Sequence, residues 1–410
     1  MRPVLCFRYL MVRFIFCIMG LRVGYWCKVV ERAWSVEARD EYLESLLRSV
    51  APKNAYGNSV TTLREVRESP ILTKKAFRKS PEKPNRKAKY HRHTAGSSGN
   101  PTDVWLDREE LGRMLGVRDY CYRHCGIRVG DREGRLWGRQ ENGIKSRLKN
   151  FLLNRQVFHT AGPSLQKEVQ RLISWRPDYL YGYASLLIEC AQEIERTEHP
   201  IPRMKCVIVT AETILASQKE YLARVFGCSV HEEYGASEFD IIAFECRSGH
   251  RHLVNPWLIL ESGPDFQVLV TDVGRRSQDL VRYELGDVLR FRSTDCSEFG
   301  SSNVISTLEG RTANQFALTA NNERFHAVEF GYAMDEFQRT YHELFRFTVI
   351  QIKPGSFIVQ CTPIPMAGGH LLSEHLKSRI KARLGYSLQI ETRESSDPDL
   401  RKREYFVSGL

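Results

Sequence analysis

Residues 205–238 read KCVIVTAETILASQKEYLARVFGCSVHEEYGASE, and this stretch decides the fold class. Residues 205–210 form a short β-rich run, residues 217–226 have a helical pattern, and residues 229–232 are β-rich again. A strand, a helix and a strand in so short a span predict an α/β unit with parallel strands. Upstream, helical segments at 108–115, 164–173 and 185–195 extend the alternation. Downstream the style changes. Runs at 253–260, 266–271 and 288–292, separated by Gly, Pro and Asp turns, predict a strand-rich subdomain. Past Gly310, a helix at 326–337, strands at 345–352 and 356–362 around Pro354-Gly355, a helix at 373–384 and a strand at 387–394 predict a small α+β domain. The expected division is an N-terminal helical region with a basic linker (1–93), an α/β core (94–312) and a mobile C-terminal domain (313–410).

Composition narrows the function classes. With 410 residues, 42% hydrophobic and 27% charged, the chain has enough apolar material for a sizeable core, which excludes wholesale disorder, collagen and a multispan membrane protein. Sixty Lys and Arg against 49 Asp and Glu give a net charge of +11, which favours anionic partners. Eleven cysteines, an odd number scattered along a long chain, predict a reducing cytoplasm. At the N-terminus, residues 4–21 are apolar but interrupted by Arg8 and Arg13. Their uninterrupted part, 14–21, is too short to span a bilayer, and no small-x-small cleavage site follows. A buried N-terminal helix is expected there, ahead of export or contact with a membrane surface. A second, amphipathic helix is expected at 36–50.

Beyond Pro70, nine Lys and Arg residues from Lys74 to Arg92 are opposed only by Glu82 and interleaved with Pro81 and Pro84. This reads as a solvated basic linker, with an electrostatic funnel for a phosphate-rich ligand as its functional alternative. Nucleic acid is not the expected partner, because only Phe77 and Tyr90 are available there for stacking.

Four short segments carry chemistry. Residues 94–102, TAGSSGNPT, form a Gly- and hydroxyl-rich loop whose amides can approach phosphate oxygens, but it lacks the Lys-Ser/Thr ending of a Walker A loop. Residues 234–238, YGASE, follow a predicted strand and end in a carboxylate able to hold magnesium. Residues 282–287, RYELGD, end in an aspartate suited to accept both hydroxyls of a ribose. Residues 310–314, GRTAN, stand at the boundary of the C-terminal domain. Singly, each has an ordinary explanation as a turn, an ion pair or a hinge.

In this order the four segments resemble the adenylate-forming superfamily of acyl-CoA synthetases, adenylation domains and luciferases, most closely its phenylacetate-CoA ligase-like branch. YGYAS at 181–185 is similar to that branch's pocket-side GYPS segment, and VTAE at 209–212 to the strand end beside its nucleotide. The resemblance implies ATP, Mg2+ and a carboxylic acid as ligands. An acyl-adenylate would form and pass to a thiol, coenzyme A being the expected acceptor; relatives in polysaccharide and capsule gene clusters use acceptors that need not be coenzyme A. It assigns Thr94, Gly96, Ser97, Ser98 and Gly99 to the phosphates, Glu212, Tyr234, Gly235 and Ser237 to the nucleotide pocket, Asp287 and Arg311 to the ribose, and Glu238 to the metal. Two departures stand out. The usual hinge aspartate is Asn314, and the C-terminal catalytic lysine has only Lys402, without the glycine that normally precedes it, as its match. A degenerate member that binds nucleotide without turnover is therefore the competing expectation. The residues leave the acid, the acceptor and the oligomeric state open.

Two further clusters have metal-ligand chemistry. Cys246, His250 and His252 are close enough to share a zinc ion, but a fourth ligand is not visible in the sequence. Cys121, His124 and Cys125 would share one helical face, where packing is the expected role. His159 and His231 have no neighbours that demand catalysis.

Overall fold

Strand runs that are apolar without alternation belong inside a parallel sheet covered on both faces, and residues 179–182 and 206–210 are buried at every position. The structure is a computed structural model, which describes residues 3–34, 39–79, 88–93, 102–137, 143–160, 164–263, 267–300, 303–311, 316–395 and 406–408. Helices α1 (Pro3–Ile18), α2 (Val23–Ala33), α3 (Arg39–Val50), α4 (Leu63–Glu68) and α5 (Lys74–Lys79) lead into an antiparallel ribbon of β1 (Tyr90–His93) and β2 (Asp103–Leu106). An alternating region follows: α6 (Arg108–His124), β3 (Glu133–Leu136), α7 (Ile144–Leu152), β4 (Arg155–Phe158), α8 (Leu165–Trp175), β5 (Tyr179–Gly182), α9 (Ala184–Thr197), β6 (Cys206–Thr210), α10 (Ala216–Phe226) and β7 (Ser229–Ala236). Strands β8 (Asp240–Glu245), β9 (Arg251–Leu253), β10 (Leu258–Ser262), β11 (Gln267–Asp272), β12 (Tyr283–Ser293) and β13 (Asn303–Arg311) continue the same sheet.

That sheet has eleven strands among the described residues, in the order β10-β11-β12-β13-β9-β8-β7-β6-β5-β3-β4. Pairing is parallel from β4 through β3, β5 and β6 to β7, and antiparallel from β7 onward. The fold class is thus α/β with a strand-rich extension, as the alternation of segments predicts. Helices α8, α9 and α10 bury Leu172, Leu187, Ala191 and Leu222 against Val207 and Val209 of β6, each buried Leu or Val side chain contributing roughly 1.5–3 kcal/mol. Helix α6 starts on a capping box, with Asp107 accepting from the Glu110 amide and Glu110 from the Asp107 amide. It packs so closely on α2 that a Cβ on Gly116 would lie 2.5 Å from the Trp26 Cβ.

The C-terminal part contains β14 (Phe316–Leu318), β15 (Arg324–His326), α11 (Val328–Tyr341), β16 (Arg346–Lys353), β17 (Ser356–Thr362), α12 (Gly369–Leu384), β18 (Gln389–Glu394) and β19 (Phe406–Ser408). Its four-stranded sheet, β18-β17-β16-β19, and two helices enclose a core drawn only from residues between Ala317 and Phe406. The contacts from α11 and β16 to the large α/β region are polar: the Ser217 amide donates to Asp335 Oδ1 (3.0 Å), and Arg346 pairs with Glu189 (2.5 Å).

Three expectations are corrected. The N-terminal helix is not buried, since Phe7, Leu10, Phe14 and Ile18 lie 59–70% exposed along one face of α1. Its apolar stripe meets no partner of its own among the described residues, a relation that composition cannot reveal. No single helix among them is long and apolar enough to cross a membrane. The basic segment, where described, is not a free linker: Lys74–Lys79 is helical, Lys74 Nζ donates to the Leu285 carbonyl (2.7 Å), Arg78 Nε to Thr102 Oγ1 (2.9 Å), and Leu72 pairs with Tyr283. The run 253–260 is two strands, β9 and β10, interrupted around Pro256, which cannot donate to a ladder.

Candidate active site

In an open parallel sheet, ligands bind outside the carboxyl ends of strands where the order of connection reverses. Here β3 leads to β4 on one side while β5 lies on the other, so the reversal falls between β3 and β5. The segments leaving the carboxyl ends of β3, β5, β6 and β7 begin at Trp137, Tyr183, Ala211 and Ser237. Three segments singled out from sequence, YGYAS, VTAE and YGASE, are therefore neighbours in space. Gly182 lets β5 approach β3, because a Cβ would sit 2.6 Å from the Leu136 carbonyl oxygen. Glu212 links two of these segments: its carboxylate accepts from the Ser185 amide (2.8 Å) and the Ser185 hydroxyl (3.2 Å). It thereby places a negative charge at the N-terminus of α9, where the helix dipole favours one.

YGASE forms the reversal from β7 to β8. Only glycine fits at position 235, since an added Cβ would lie 2.0 Å from the Asp240 carbonyl oxygen. The turn is joined to RYELGD by two reciprocal hydrogen bonds. Tyr234 Oη donates to Asp287 Oδ2 (2.8 Å), and Tyr283 Oη donates to Glu238 Oε1 (2.9 Å). Each segment thus gives a phenol to the other's carboxylate, which sets both carboxylates relative to one another. Glu238 is only 2% exposed, and Arg275 Nη1 donates to its backbone carbonyl (3.1 Å). Burial, then the neighbouring Glu238 carboxylate, pushes the Tyr283 phenol well above its ordinary range, so it remains a donor. Asp287 is half-buried on β12 and stands opposite Arg311 of β13 in the ladder. Ser237 is half-buried within the turn.

A buried charge cluster behind the turn was not anticipated. Arg118 of α6 reaches Glu233 Oε2 (3.2 Å) and Asp240 Oδ1 (2.9 Å), the residues on either side of YGASE. Glu233 also accepts from Tyr181 (2.9 Å), Tyr122 (3.2 Å) and Thr210 (3.3 Å), tying β7 to β5, β6 and α6. Burial pushes the Glu233 carboxyl above the usual carboxylate range in spite of Arg118. Burial acts the same way on Asp240, but there Arg118 and Arg92 prevail and hold it below that range. Beside this cluster, Trp137 lies against Tyr183 (ring centroids 4.2 Å) and Arg135 sits 4.5 Å from the Tyr181 ring centre, giving the strand-order reversal an aromatic wall. The available signal was a pair of adjacent carboxylates, Glu232-Glu233, at the end of the β-rich run 229–232, where a carboxylate that becomes buried needs a partner.

The phosphate-loop candidates Thr94, Gly96, Ser97, Ser98 and Gly99 lie outside the described residues, as do Asn314 and Lys402. The loop's last residue, Thr102, is buried and held by Arg78. Cys121 is buried in the core, and His124 Nδ1 lies 2.9 Å from the Tyr120 carbonyl oxygen, in keeping with packing roles.

No protein-family model matches the chain. Among curated proteins, Protein CapK of Staphylococcus aureus is 23% identical over 272 residues, 62% of this chain and 59% of that protein. The phenylacetate-coenzyme A ligase of Pseudomonas putida is 23% identical over 217 residues, 48% of this chain and 49% of that protein. The chain thus matches between about half and three-fifths of these relatives' length. Among solved structures, a 2-hydroxyisobutyryl-CoA ligase with 2-HIB-AMP in the postadenylation state aligns over 91% of this chain and 89% of its own, with a TM-score of 0.65 at 16% identity. An anthranilate CoA ligase with anthranoyl-AMP aligns over 76% of this chain and 65% of its own, with a TM-score of 0.54 at 11% identity.

Proposed function

Because this chain is built on the fold of the adenylate-forming superfamily, we propose that it activates a carboxylic acid with ATP and transfers the acyl group to a thiol, coenzyme A. The observation that carries the reading is the reciprocal pair of phenol–carboxylate hydrogen bonds, which holds YGASE and RYELGD together at the carboxyl ends of the sheet. In the first step a carboxylate oxygen of the acid attacks the α-phosphorus of ATP. The bond to the bridging oxygen breaks, and pyrophosphate leaves with the electron pair. This chemistry is mostly positioning and charge neutralisation. Asp287 accepts the ribose hydroxyls, with Arg311 beside it, and Tyr234 lines the adenine side through a ring oriented by its bond to Asp287. Glu212, Gly235 and Ser237 complete the nucleotide pocket, and Thr94, Gly96, Ser97, Ser98 and Gly99 hold the phosphates. The wall of Trp137, Tyr181 and Tyr183 suits a small acid with an apolar or aromatic body. In the second step the thiolate sulfur attacks the acyl carbon and AMP departs.

The donor set fits magnesium. Glu238 is a hard oxygen ligand with one oxygen on Tyr283, and Mg2+ is commonly held by one or two carboxylates together with substrate phosphates. When bound, the ion offsets charge on the phosphates. Glu238→Gln retains the acceptor for Tyr283 and should leave the melting temperature nearly unchanged, while lowering turnover at limiting Mg2+ and recovering in part as Mg2+ is raised. Wild-type turnover at limiting Mg2+ would reduce Glu238 to a structural role.

Lys402 is the proposed cation for the first step. Lys402→Ala is expected to slow adenylation by at least about a hundredfold, in line with loss of one transition-state donor, yet spare thioester formation from supplied acyl-adenylate. Equal retention of both half-reactions would transfer that role to another basic group.

The direct test is trapping of acyl-adenylates with hydroxylamine across aryl, aliphatic and amino acids, which detects the first step without assuming an acceptor.

A further inference from the structure

We propose that Cys246, His250, His252 and Cys296 form a structural zinc site that staples the turn between β8 and β9 to the loop between β12 and β13. The sequence offers the first three, and the fold brings the fourth from 44 positions beyond His252. One ligand atom from each residue, two Sγ and two imidazole nitrogens, lies within 4.8 Å of every other. The two sulfurs are 3.9 Å apart, far from the about 2.05 Å of a disulfide and near the about 3.8 Å set by tetrahedral Zn–S bonds of about 2.3 Å.

The surroundings are arranged as for a thiolate ligand. Gly249, at φ +80°, allows a tight turn in which the Cys246 amide donates to the His250 carbonyl (2.9 Å) and the Gly249 amide to the Cys246 carbonyl (3.1 Å). The same turn aims the His250 amide at Cys246 Sγ (3.3 Å), a contact that stabilises negative charge on sulfur. His250 Nδ1 is buried with no hydrogen-bond partner among the described residues, an arrangement a metal ligand explains. Cys246 and His252 are buried, His252 lying 5.6 Å from the Phe299 ring. A second link between the two loops, from the Arg247 amide to Glu298 (3.1 Å), holds them in the same register. Two thiolates and two imidazoles are a donor set that selects zinc over the oxygen-seeking Mg2+ and Ca2+. Binding releases the two thiol protons to solvent and involves no redox change.

The staple matters because of what it joins. Strand β8 carries the return from YGASE, and β12 carries Asp287. The ion would fix the far ends of the two hairpins whose near ends exchange the phenol–carboxylate hydrogen bonds.

The experiment is metal analysis of the full chain purified from zinc-supplemented cells, followed by exchange of zinc for Co2+. We expect about one zinc per chain and, with Co2+, a thiolate-to-metal charge-transfer band together with the intense visible bands of a tetrahedral ion. Cys296→Ser should weaken that band and retain zinc at least tenfold less well against a chelator, whereas Cys228→Ser, a half-buried cysteine elsewhere, should match wild type. If Cys296→Ser does not fold, chelator treatment of the wild-type protein decides: a lowered melting temperature restored by Zn2+ supports the site. Zinc-free wild-type protein with no charge-transfer band overturns it. So does a Cys246–Cys296 disulfide seen by intact mass, or wild-type zinc retention by Cys296→Ser. None of these readouts depends on adenylating activity.

Discussion

Asp287→Ala is expected to reduce ATP-dependent adenylate formation by roughly 10²–10⁴-fold. The estimate follows from losing two hydrogen bonds to a charged acceptor, about 1.5–3 kcal/mol each, at about 1.4 kcal/mol per tenfold in rate. The fold should survive, because the side chain is half-buried and its described protein bond is the one from Tyr234. Loss of that bond costs about 1 kcal/mol of stability. Asp287→Asn keeps one acceptor oxygen and should fall between the two. The measurement is hydroxamate yield against ATP concentration, paired with thermal unfolding. Unchanged ATP dependence in Asp287→Ala would remove the aspartate from the nucleotide site.

The second large effect is structural. Arg118→Met is expected to destabilise the protein by about 3 kcal/mol, because it leaves Glu233 and Asp240 without their shared cation. Breaking a buried ion pair from one side costs roughly 3–5 kcal/mol; Arg118 retains 22% side-chain exposure, which places it at the low end. The loss should depend on pH in a stated direction. Burial already raises the folded-state pKa of Glu233, and removing Arg118 raises it further. A carboxyl with a raised folded pKa stabilises the fold below its unfolded pKa and loses that contribution as pH rises through the folded one. The deficit of Arg118→Met should therefore shrink as pH is lowered from neutrality toward 5. Adding Glu233→Gln should recover part of it, since the amide still accepts from Tyr181 without a buried charge. Urea midpoints of the two single variants and the double variant provide the cycle. A deficit that grows on acidification would contradict the assignment.

Periodic segments were legible because their burial follows their period: β6 is buried at every position, and α10 buries Leu222 and Phe226 on one face. The runs at 205–210 and 229–232 and the helix at 217–226 are strands β6 and β7 and helix α10, with bounds shifted by up to four residues. Strands β3, β4 and β5 were not anticipated, since each is only four residues long and carries arginine or tyrosine whose polar ends find partners in the fold, as Arg135 and Tyr179 do on Glu133. The site was legible as four segments but not as a geometry. No local pattern states that Tyr234 bonds Asp287 or that Arg118, more than a hundred positions upstream, answers Glu233. Cys296 was invisible for the same reason: forty-four positions separate it from His252, and only the β9–β13 pairing brings the two loops together. The exposed stripe of α1 was misread because an apolar helix can be buried or surface-lying with the same composition.

Acid-dependent ATP–pyrophosphate exchange, run alongside hydroxamate trapping over a panel of carboxylic acids, separates an adenylating enzyme from a protein that only binds nucleotide. At least one acid, of a size to lie against Trp137, Tyr181 and Tyr183, is expected to support exchange and yield hydroxamate, with both lowered roughly 10²–10⁴-fold in Asp287→Ala. Tight ATP binding with no exchange for any acid in the panel would contradict the adenylating role and leave a nucleotide-binding protein on an adenylate-forming fold.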